Sequence, residues 1–222
     1  MAQLEQKCLT PLKICALRVT RLNQDGTPAA GPNNSYVTNR LSQIELGSEV
    51  REGDEQEMLD GCGCPILEFK EDDSFKRWTF GLSLGSIEFG LKEMLLGTPL
   101  ILDDSTIPVP IGLQFNTPAG CGAVRPKVAL EVWSKAIAYD DQDPDKPWFH
   151  WVFPGAKFNP APDSLTLGAD ANPIVLNGRG VQNTRFGDPY NELPEPPEGS
   201  GQVFLSEDFP VPECGYQTIG SS

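Results

Sequence analysis

The chain has 222 residues, of which 39% are apolar and 22% charged, and these proportions suit a globular domain with a core rather than a disordered chain. Seventeen basic residues stand against 31 acidic ones, so the net charge is −14 and the surface as a whole would repel nucleic acid and anionic lipid. The 22 glycines and 21 prolines favour short strands and loops over long helices.

The N-terminal sequence lacks a basic region followed by about 7–15 apolar residues, which a secretory signal would have. No stretch approaches the roughly 18 consecutive apolar residues of a membrane-spanning helix. We therefore expect folding in the cytoplasm and no association with a membrane. In that compartment cysteines are expected to be thiols rather than a disulfide framework. The six are Cys8, Cys15, Cys62, Cys64, Cys121 and Cys214.

The first forty residues predict an arm, a strand and a loop. Residues 1–12 are expected to form an N-terminal arm. Residues 13–22 mix β-branched and apolar side chains, and they end at a turn marked by Asp25 and Gly26. The stretch 27–40 is rich in proline, glycine and asparagine, so it predicts a long loop rather than a tight hairpin.

Three further strands surround a dense run of acidic residues. Residues 41–46 alternate in polarity and place Glu45 on the polar face of a strand. Residues 64–70 and 75–86 predict two more strands joined by a turn. The acidic run lies between the first two of these strands, 41–46 and 64–70. It has six carboxylates and no second type of ligand that would fix a metal. These carboxylates are Glu49, Glu52, Asp54, Glu55, Glu57 and Asp60.

Residues 86–97 form the one segment that predicts a helix. Ser86 can cap its N-terminus, apolar residues recur at helical spacing, and Gly97 stands where a helix commonly ends. Because the segment is short, we expect it to be stabilised by packing its apolar side on a sheet.

The second half of the chain predicts a hairpin and two irregular regions. Residues 127–141 and 147–154 predict paired strands, and short strands are expected further along, one of them at 164–167. Residues 98–126 predict a loop-rich excursion. The segment 193–222 is rich in proline and lacks periodicity, so it predicts an extended C-terminal arm that becomes ordered on binding. Residues 1–192 are expected to form one mainly β domain.

The residues that could carry enzyme chemistry form no known constellation. The single histidine, His150, lies between aromatic residues on a strand, a setting more typical of a packed side chain than of a catalytic base. Cys62 and Cys64 lack a second pair at zinc spacing. Residues 140–147 begin like a calcium loop but carry lysine in place of its glycine. We therefore expect a binding or structural protein, with no enzyme activity, cofactor or metal.

Four stretches between residues 13 and 190 together carry a family resemblance. They are CALRVTRLNQDGTPAAGPNNSYVTNRL, GDEQEMLDGCG, LEVWSKA and HWVFPGAKFNPAPDSLTLGADANPIVLNGRGVQNTRFGDP. In this order they resemble the major tail tube proteins of long-tailed (siphovirus-type) phages of actinobacteria. Residues 98–126 and 193–222 carry little of this likeness.

The resemblance implies a phage tail tube fold, which is a β-sandwich or half-barrel with one flanking helix, long loops and a C-terminal arm. It also implies hexameric rings that stack head to tail, with strands of six copies lining a lumen for the genome. The partners would be further copies of the chain and the tape-measure, tail-tip and tail terminator proteins. Double-stranded DNA would pass through without specific binding. The location would be the virion tail, after assembly in the host cytoplasm.

An acidic lumen would keep DNA sliding, because duplex DNA bears one charge per about 1.7 Å and carboxylates repel its phosphates. Screening limits this repulsion to about 8–10 Å from the wall. We therefore predict that carboxylates face the lumen or its rim, namely Glu45, Glu49, Glu52, Asp54, Glu55 and Glu57. The long loop and the arm are expected to join successive rings through Asn33, Asn34, Tyr36, Phe204, Phe209 and Tyr216.

Three alternatives stay open at this stage. The inner tube of a contractile tail or of a secretion system would share the fold and the ring, and binding of a sheath would distinguish it. A β-sandwich binding module of the virion would display aromatic platforms, but Trp148 and Trp151 are three residues apart and cannot share one strand face. A metal-dependent hydrolase would lose stability on chelation.

Overall fold

The computed structural model describes residues 8–114, 125–138, 141–159, 174–197, 199–210 and 214–219. In these residues the chain is mainly β, with one short helix, and neighbouring strands pair antiparallel. This confirms the predicted class and the single helix. None of the helices in the described part of the chain is long or apolar enough to span a bilayer. The predicted strand at 164–167 lies outside the described residues.

Within the described residues the elements are fourteen strands and one helix. They are β1 (Thr10–Arg21), β2 (Gly31–Thr38), β3 (Leu41–Arg51), β4 (Glu55–Leu59), β5 (Pro65–Lys70), β6 (Ser74–Leu84), α1 (Phe89–Leu96), β7 (Leu100–Leu102), β8 (Pro110–Leu113), β9 (Val128–Ala138), β10 (Asp141–Gln142), β11 (Trp148–Phe158), β12 (Ile174–Gly180), β13 (Gln202–Ser206) and β14 (Gly215–Ile219).

Ten of these strands form the main sheet, in the order β14-β2-β1-β9-β11-β12-β6-β3, with β10 beside β9 and β13 beside β11. The edge strand β3 also packs against β1, so the sheet folds back over its own core. The core contains aliphatic and aromatic side chains from both halves of the fold, among them Leu17, Val19, Phe80, Leu82, Leu130, Val132, Phe153 and Leu176. The predicted pairing of 127–141 with 147–154 is confirmed by the register of β9 and β11.

Helix α1 packs against β1, β2 and β11 and contributes Leu91, Met94 and Leu95 to the core. It ends as predicted at Gly97, which has φ 70° and whose N–H donates to the Glu93 carbonyl at 2.8 Å. Its start was predicted wrongly, because Ser86 does not cap it. The Ser86 hydroxyl instead donates to the Glu88 carboxylate at 3.1 Å, and helical geometry begins only after Glu88.

The prediction of a long loop over residues 27–40 was wrong, because eight of these residues form β2. This strand pairs with β1 on one side and β14 on the other. Proline, glycine and asparagine are confined to its exposed first half, whereas Ser35, Val37 and Thr38 are buried. The loop composition therefore marks only the start of the strand.

The prediction of a free arm over residues 193–222 was also wrong in the described part of that segment. Strand β13 pairs with β11, and β14 pairs with β2. Between them, the indole N–H of Trp133 donates to the Asp208 carbonyl at 3.0 Å, which holds the connecting segment on the domain. Short strands gain their order from backbone pairing, which needs little apolar periodicity. The N-terminal arm predicted for residues 1–12 is contradicted at its end, where β1 begins at Thr10, and residues 1–7 of that prediction lie outside the described residues.

Candidate functional site

The most exposed pair of strands in the described part of the chain belongs to the projecting hairpin, which we define as residues 52–73. Its strands β4 and β5 pair only with each other in the described chain, and every residue in them is exposed. At its base the Glu71 N–H donates to the Asp54 carbonyl at 3.0 Å. A hairpin isolated in water is marginally stable at best. Because the projecting hairpin has no covering partner within the described domain, a contact with another molecule would stabilise it.

The tip of the projecting hairpin is a tight turn built around Asp60. Its carboxylate accepts the backbone N–H groups of Cys62 and Cys64, each at 2.8 Å. Those hydrogen bonds lower the pKa of Asp60 below its ordinary value. Gly63, between the two cysteines, has φ 82°, which glycine adopts without strain. The C-x-C sequence thus forms a tight bend, and the five described cysteines are free thiols.

One face of the projecting hairpin is apolar. Residues directly opposite each other on paired strands share a face, and here Met58 lies opposite Leu67 while Gln56 lies opposite Phe69. Met58, Leu67 and Phe69 are 59%, 58% and 54% exposed. Large apolar side chains clustered in this way typically mark a surface that another molecule covers.

The other face of the projecting hairpin is charged. Glu55 lies opposite Lys70, which is a favourable pair, but Glu57 lies directly opposite Glu68. Like charges in this position are destabilising. Residues 52–73 hold nine acidic residues and one basic residue, so they carry −8 of the chain's net charge of −14.

The six carboxylates predicted to face a lumen do not share one surface. Glu45 and Glu49 lie on β3 in the main sheet, whereas the others lie in the projecting hairpin or at its base: Glu52, Asp54, Glu55 and Glu57. Their orientation toward a lumen stays a prediction. Hydrogen bonds from Arg77 and Lys76 lower the pKa of Glu49 to about 2, so this carboxylate is ionised but already paired.

The outward face of β3, β6 and β12 is polar and lined by small residues. Gly47 lies opposite Thr79, and Glu45 lies opposite Gly81, whose neighbour on β12 is Asn177. The acids of this face, Glu45 and Glu49, are balanced by Arg77 and Arg179. The face is therefore close to neutral, and the acidic excess of the chain lies mainly elsewhere.

The residues predicted to join successive rings have partners in their own chain. The ring of Tyr36 contacts that of Tyr216, with centroids 5.1 Å apart. Phe204 lies 4.8 Å from the ring of His150, and Phe209 lies 4.6 Å from the ring of Trp148. The four predicted aromatic anchors therefore pack on their own domain.

The two predicted asparagines of this set lie at the exposed start of β2. The Asn34 amide donates to the Ala30 carbonyl at 2.7 Å, and Asn33 is exposed. A role between rings stays a prediction for all six residues.

A buried charge network, which sequence reasoning did not find, lies on the side of the sheet opposite the core. The Arg18 guanidinium donates to both carboxylate oxygens of Glu131, at 2.8 and 2.6 Å. It also donates to Glu192 at 2.8 Å and lies 3.4 Å from the centroid of the Tyr190 ring. His150 Nε2 lies 3.1 Å from Glu131 Oε1. Arg18, Glu131 and His150 are all at most 1% exposed.

The network ties the segment around Tyr190 and Glu192, which we call the C-terminal segment, to the sheet. Arg18 and Glu131 lie opposite each other on β1 and β9, while Tyr190 and Glu192 belong to the covering segment. Burial alone would lower the pKa of Arg18, but the charges of Glu131 and Glu192 raise it above its ordinary value. The network is therefore a fixed, ionised clamp. His150 is fully buried in it, as predicted for a packed side chain.

A second exposed hairpin follows the helix. Strands β7 and β8 pair with each other and pack on α1. The Asp103 carboxylate shapes the turn by accepting the Val109 N–H and the Ser105 hydroxyl, each at 2.7 Å. Ile107 at the turn is 80% exposed and Ile111 is 59% exposed. The described chain thus presents a second apolar surface, separate from the projecting hairpin.

Within the described residues, no three His, Cys, Asp or Glu side chains are grouped so that they could hold a metal ion. What these residues do provide is surface for association: two exposed apolar hairpins and a concentrated charge. A comparison with protein-family models gives no match, and none of the curated proteins matches the sequence.

Proposed function

We propose that the chain is a structural virion protein whose copies form hexameric rings, stacked head to tail as the tail tube of a long-tailed phage. The ring and the tube come from the family resemblance of the sequence. The observation that best supports self-assembly is the projecting hairpin, since both of its faces lack a partner in the described part of the chain.

The apolar face of the projecting hairpin supplies a driving force for contact between copies. Full burial of a Leu, Met or Phe side chain stabilises by about 1.5–3 kcal/mol. Because Met58, Leu67 and Phe69 are each more than half exposed, covering all three contributes about 3 kcal/mol per copy before association costs. One such contact is weak, but a ring of six copies makes six of them, so the total free energy of burial over a ring is large.

The long edge strand of the main sheet supports the ring part of the proposal. Among the described residues β3 pairs only with β6, so one side of this 11-residue strand offers unpaired backbone groups. Such edges tend to pair with another chain unless they are protected. A closed ring of copies would remove the edge, and its wall would then contain the polar face of β3, β6 and β12.

The proposed tube would be a conduit for double-stranded DNA, located in the virion tail and in contact with the tape-measure, tail-tip and terminator proteins. The lumen wall proposed here contains Glu45, Glu49 paired with Arg77, and a single further arginine, Arg179, among small side chains that present few groups to bind phosphate. Such a wall favours passage of DNA without specific binding, because a wall rich in unpaired basic residues would hold the phosphates.

The test is electron microscopy of the purified protein in negative stain, beside its mass from light scattering. The wild-type chain should form hollow rings or tubes of constant width, alone or on added tail-tip complexes. The triple variant M58S/L67S/F69S should stay monomeric, with unchanged circular dichroism, because it removes the apolar face without touching the core.

Two single variants serve as matched controls. Val203→Ser and Ile87→Ser remove apolar side chains that are 47% and 54% exposed outside both hairpins, and both proteins should assemble like the wild type. A wild-type chain that stays monomeric, also on tail-tip complexes, would refute the tail tube proposal and favour a binding module of the virion.

A further inference from the structure

A group of basic side chains clusters on the outer face of the main sheet. Lys157 lies at the end of β11, and the positive charges of Lys127, Arg179 and Arg125 surround it. Burial and these three charges lower the pKa of Lys157 below its ordinary value. The chain has only 17 basic residues, so four of them within one patch is a marked concentration. We name these four residues the basic patch.

The centre of the basic patch is an unfavourable pair. Lys157 lies directly opposite Arg179 in the register of β11 and β12. Like charges at this spacing destabilise a sheet. In the described part of the chain, neither side chain has an ion pair with an acidic residue. The pair therefore has electrostatic energy to gain from an anionic partner outside the described domain.

The projecting hairpin carries the matching arrangement with the opposite sign. Glu57 lies directly opposite Glu68, as Lys157 lies opposite Arg179. Both are cross-strand pairs of antiparallel strands, so their side chains leave the sheet with a separation of about 4.5–5.5 Å. Two acids and two bases at equal spacing can form two parallel ion pairs when one surface lies on the other.

The basic patch lies away from the hairpin along the strands of the main sheet. The hairpin leads into β6, so β6 runs away from it, and antiparallel pairing makes β11 and β1 run away as well. Lys157 stands near the end of β11, and Lys127 stands immediately before β9, which runs the other way. The patch thus lies at the end of β11 and the start of β9 that are remote from the hairpin, level with the middle of β6, where Arg179 pairs with Thr79. A copy cannot satisfy its own patch with its own hairpin.

We propose that the charged face of the projecting hairpin docks on the basic patch of a second copy, with Glu57 and Glu68 paired to Lys157 and Arg179. This inference rests on the proposed function and specifies its contact between stacked copies. Because the two surfaces differ, the contact is heterologous, or head to tail, and can propagate from copy to copy into a filament. The hairpin's apolar face then points away from the patch, because successive residues of a strand face opposite sides.

The test uses two charge-reversed proteins, E57K/E68K and K157E/R179E. Each alone repels its own kind, so each should need at least an about tenfold higher concentration than the wild type to form tubes. In an equimolar mixture both contacts between the two proteins are attractive: the lysine hairpin meets the glutamate patch, and the native hairpin meets the native patch. The mixture should assemble at the wild-type concentration, as judged by sedimentation and negative stain.

A control separates this pairing from a general effect of charge. The variant D104K/E207K makes the same charge change at two exposed acids outside both surfaces, and it should assemble like the wild type. Thermal unfolding of each variant should match that of the wild type, which shows that the fold is intact. Assembly by either reversed protein alone, or no assembly by the mixture, would overturn the pairing while wild-type tubes would still support the proposed function.

Cross-linking tests the pairing independently of tube formation. A zero-length carbodiimide reagent, applied to a mixture of unlabelled and ¹⁵N-labelled copies, should join Lys157 of one copy to Glu57 or Glu68 of another. Absence of these mixed peptides would overturn the pairing. A short DNA duplex that binds the wild type but not K157E/R179E, with that variant assembling normally, would instead identify the patch as a polyanion site and also overturn it.

Discussion

The buried charge network allows the most quantitative prediction about this fold. Glu131 is 1% exposed and accepts two hydrogen bonds from the Arg18 guanidinium, at 2.8 and 2.6 Å. Replacing Glu131 with glutamine keeps the size of the side chain but removes its charge. Arg18 then stays buried without its main counter-charge. We expect Glu131→Gln to lower the free energy of unfolding by about 3 kcal/mol.

The magnitude of about 3 kcal/mol follows both from the pKa of Glu131 and from the cost of breaking a buried ion pair. Burial alone would raise the pKa of Glu131, but the charge of Arg18 and the hydrogen bonds from His150 and Arg18 lower it from 4.5 to about 2. A shift of this size corresponds to about 3 kcal/mol of stability at neutral pH. Separately, removing one partner from a buried ion pair costs about 3–5 kcal/mol in typical proteins.

The same shift fixes the direction of the pH dependence. The pKa of Glu131 is lower in the folded than in the unfolded chain, so its contribution is fully present above about pH 4.5 and is lost as the pH falls toward 2. The wild-type protein should lose this stability within that window. The variant lacks it at every pH, so the difference in unfolding free energy between the two proteins should shrink as the pH falls.

Urea unfolding followed by tryptophan fluorescence measures the effect, since Trp133 stacks on His150 with centroids 4.0 Å apart. The matched control is Glu192→Gln, which also contacts Arg18 but is 18% exposed, and it should cost only about 1 kcal/mol. Replacing both partners, as in R18M/E131L, should recover much of the loss. A loss below about 1 kcal/mol for Glu131→Gln would refute the reasoning, because it would mean that the buried arginine does not need the carboxylate.

Two further variants probe an exposed ion pair and a helix end. Glu49→Gln should change the midpoint of thermal unfolding by less than about 2 °C, since solvent screens its pair with Arg77; a larger drop would show that the pair is structurally important. Gly97→Ala should lower the free energy of unfolding by about 1–2 kcal/mol in urea titration, because alanine is strained at φ 70°. Gly97→Asn should lower the free energy of unfolding less, because asparagine tolerates this backbone conformation better. If the two variants lose the same stability, the cause is crowding of the added Cβ against Pro126, at 2.9 Å, and not backbone strain.

Local signals in the sequence were sufficient for most of the main sheet. Alternation of polarity predicted the strand at 41–46, which the structure extends to Arg51, and the strand at 75–86. Apolar content predicted the long pair of β9 and β11. The glycine at position 97 predicted the end of the helix. In each case the signal is a pattern of apolar and polar residues among near neighbours in sequence. That pattern is sufficient to predict which residues of a strand face the core.

The strands at the sheet edge could not be predicted in the same way. Strand β2 begins with turn-forming residues, and β14 follows a proline-rich stretch, yet the two pair with each other and bring Tyr36 against Tyr216. Their order comes from a partner about 180 positions away in sequence. No local window contains that information. Proline and glycine content therefore indicated loops where the structure has strands.

The charge network was missed because alternation alone predicts that its residues are exposed to solvent. Arg18 lies between the core residues Leu17 and Val19, and Glu131 lies between Leu130 and Val132, so both predict a solvent-facing position. The C-terminal segment covers that face and turns an exposed pair into a buried one. A usable signal existed: once β1 and β9 are paired, opposite charges fall at the same register on the same face.

The placement of the acidic residues also changes what the charge of the chain can do. The projecting hairpin segment 52–73 carries −8 of the net −14, whereas the polar face of the sheet carries acids balanced by arginines. In a stacked tube whose hairpins dock on basic patches, the carboxylates of Glu57 and Glu68 are neutralised at the contacts between rings and add nothing to the lumen wall. Repulsion of DNA would then depend on unpaired acids such as Glu45. Neutralising Glu45 should therefore leave assembly intact, whereas neutralising the hairpin pair should weaken it, and this contrast separates a docking role from a lumen role for the acidic run.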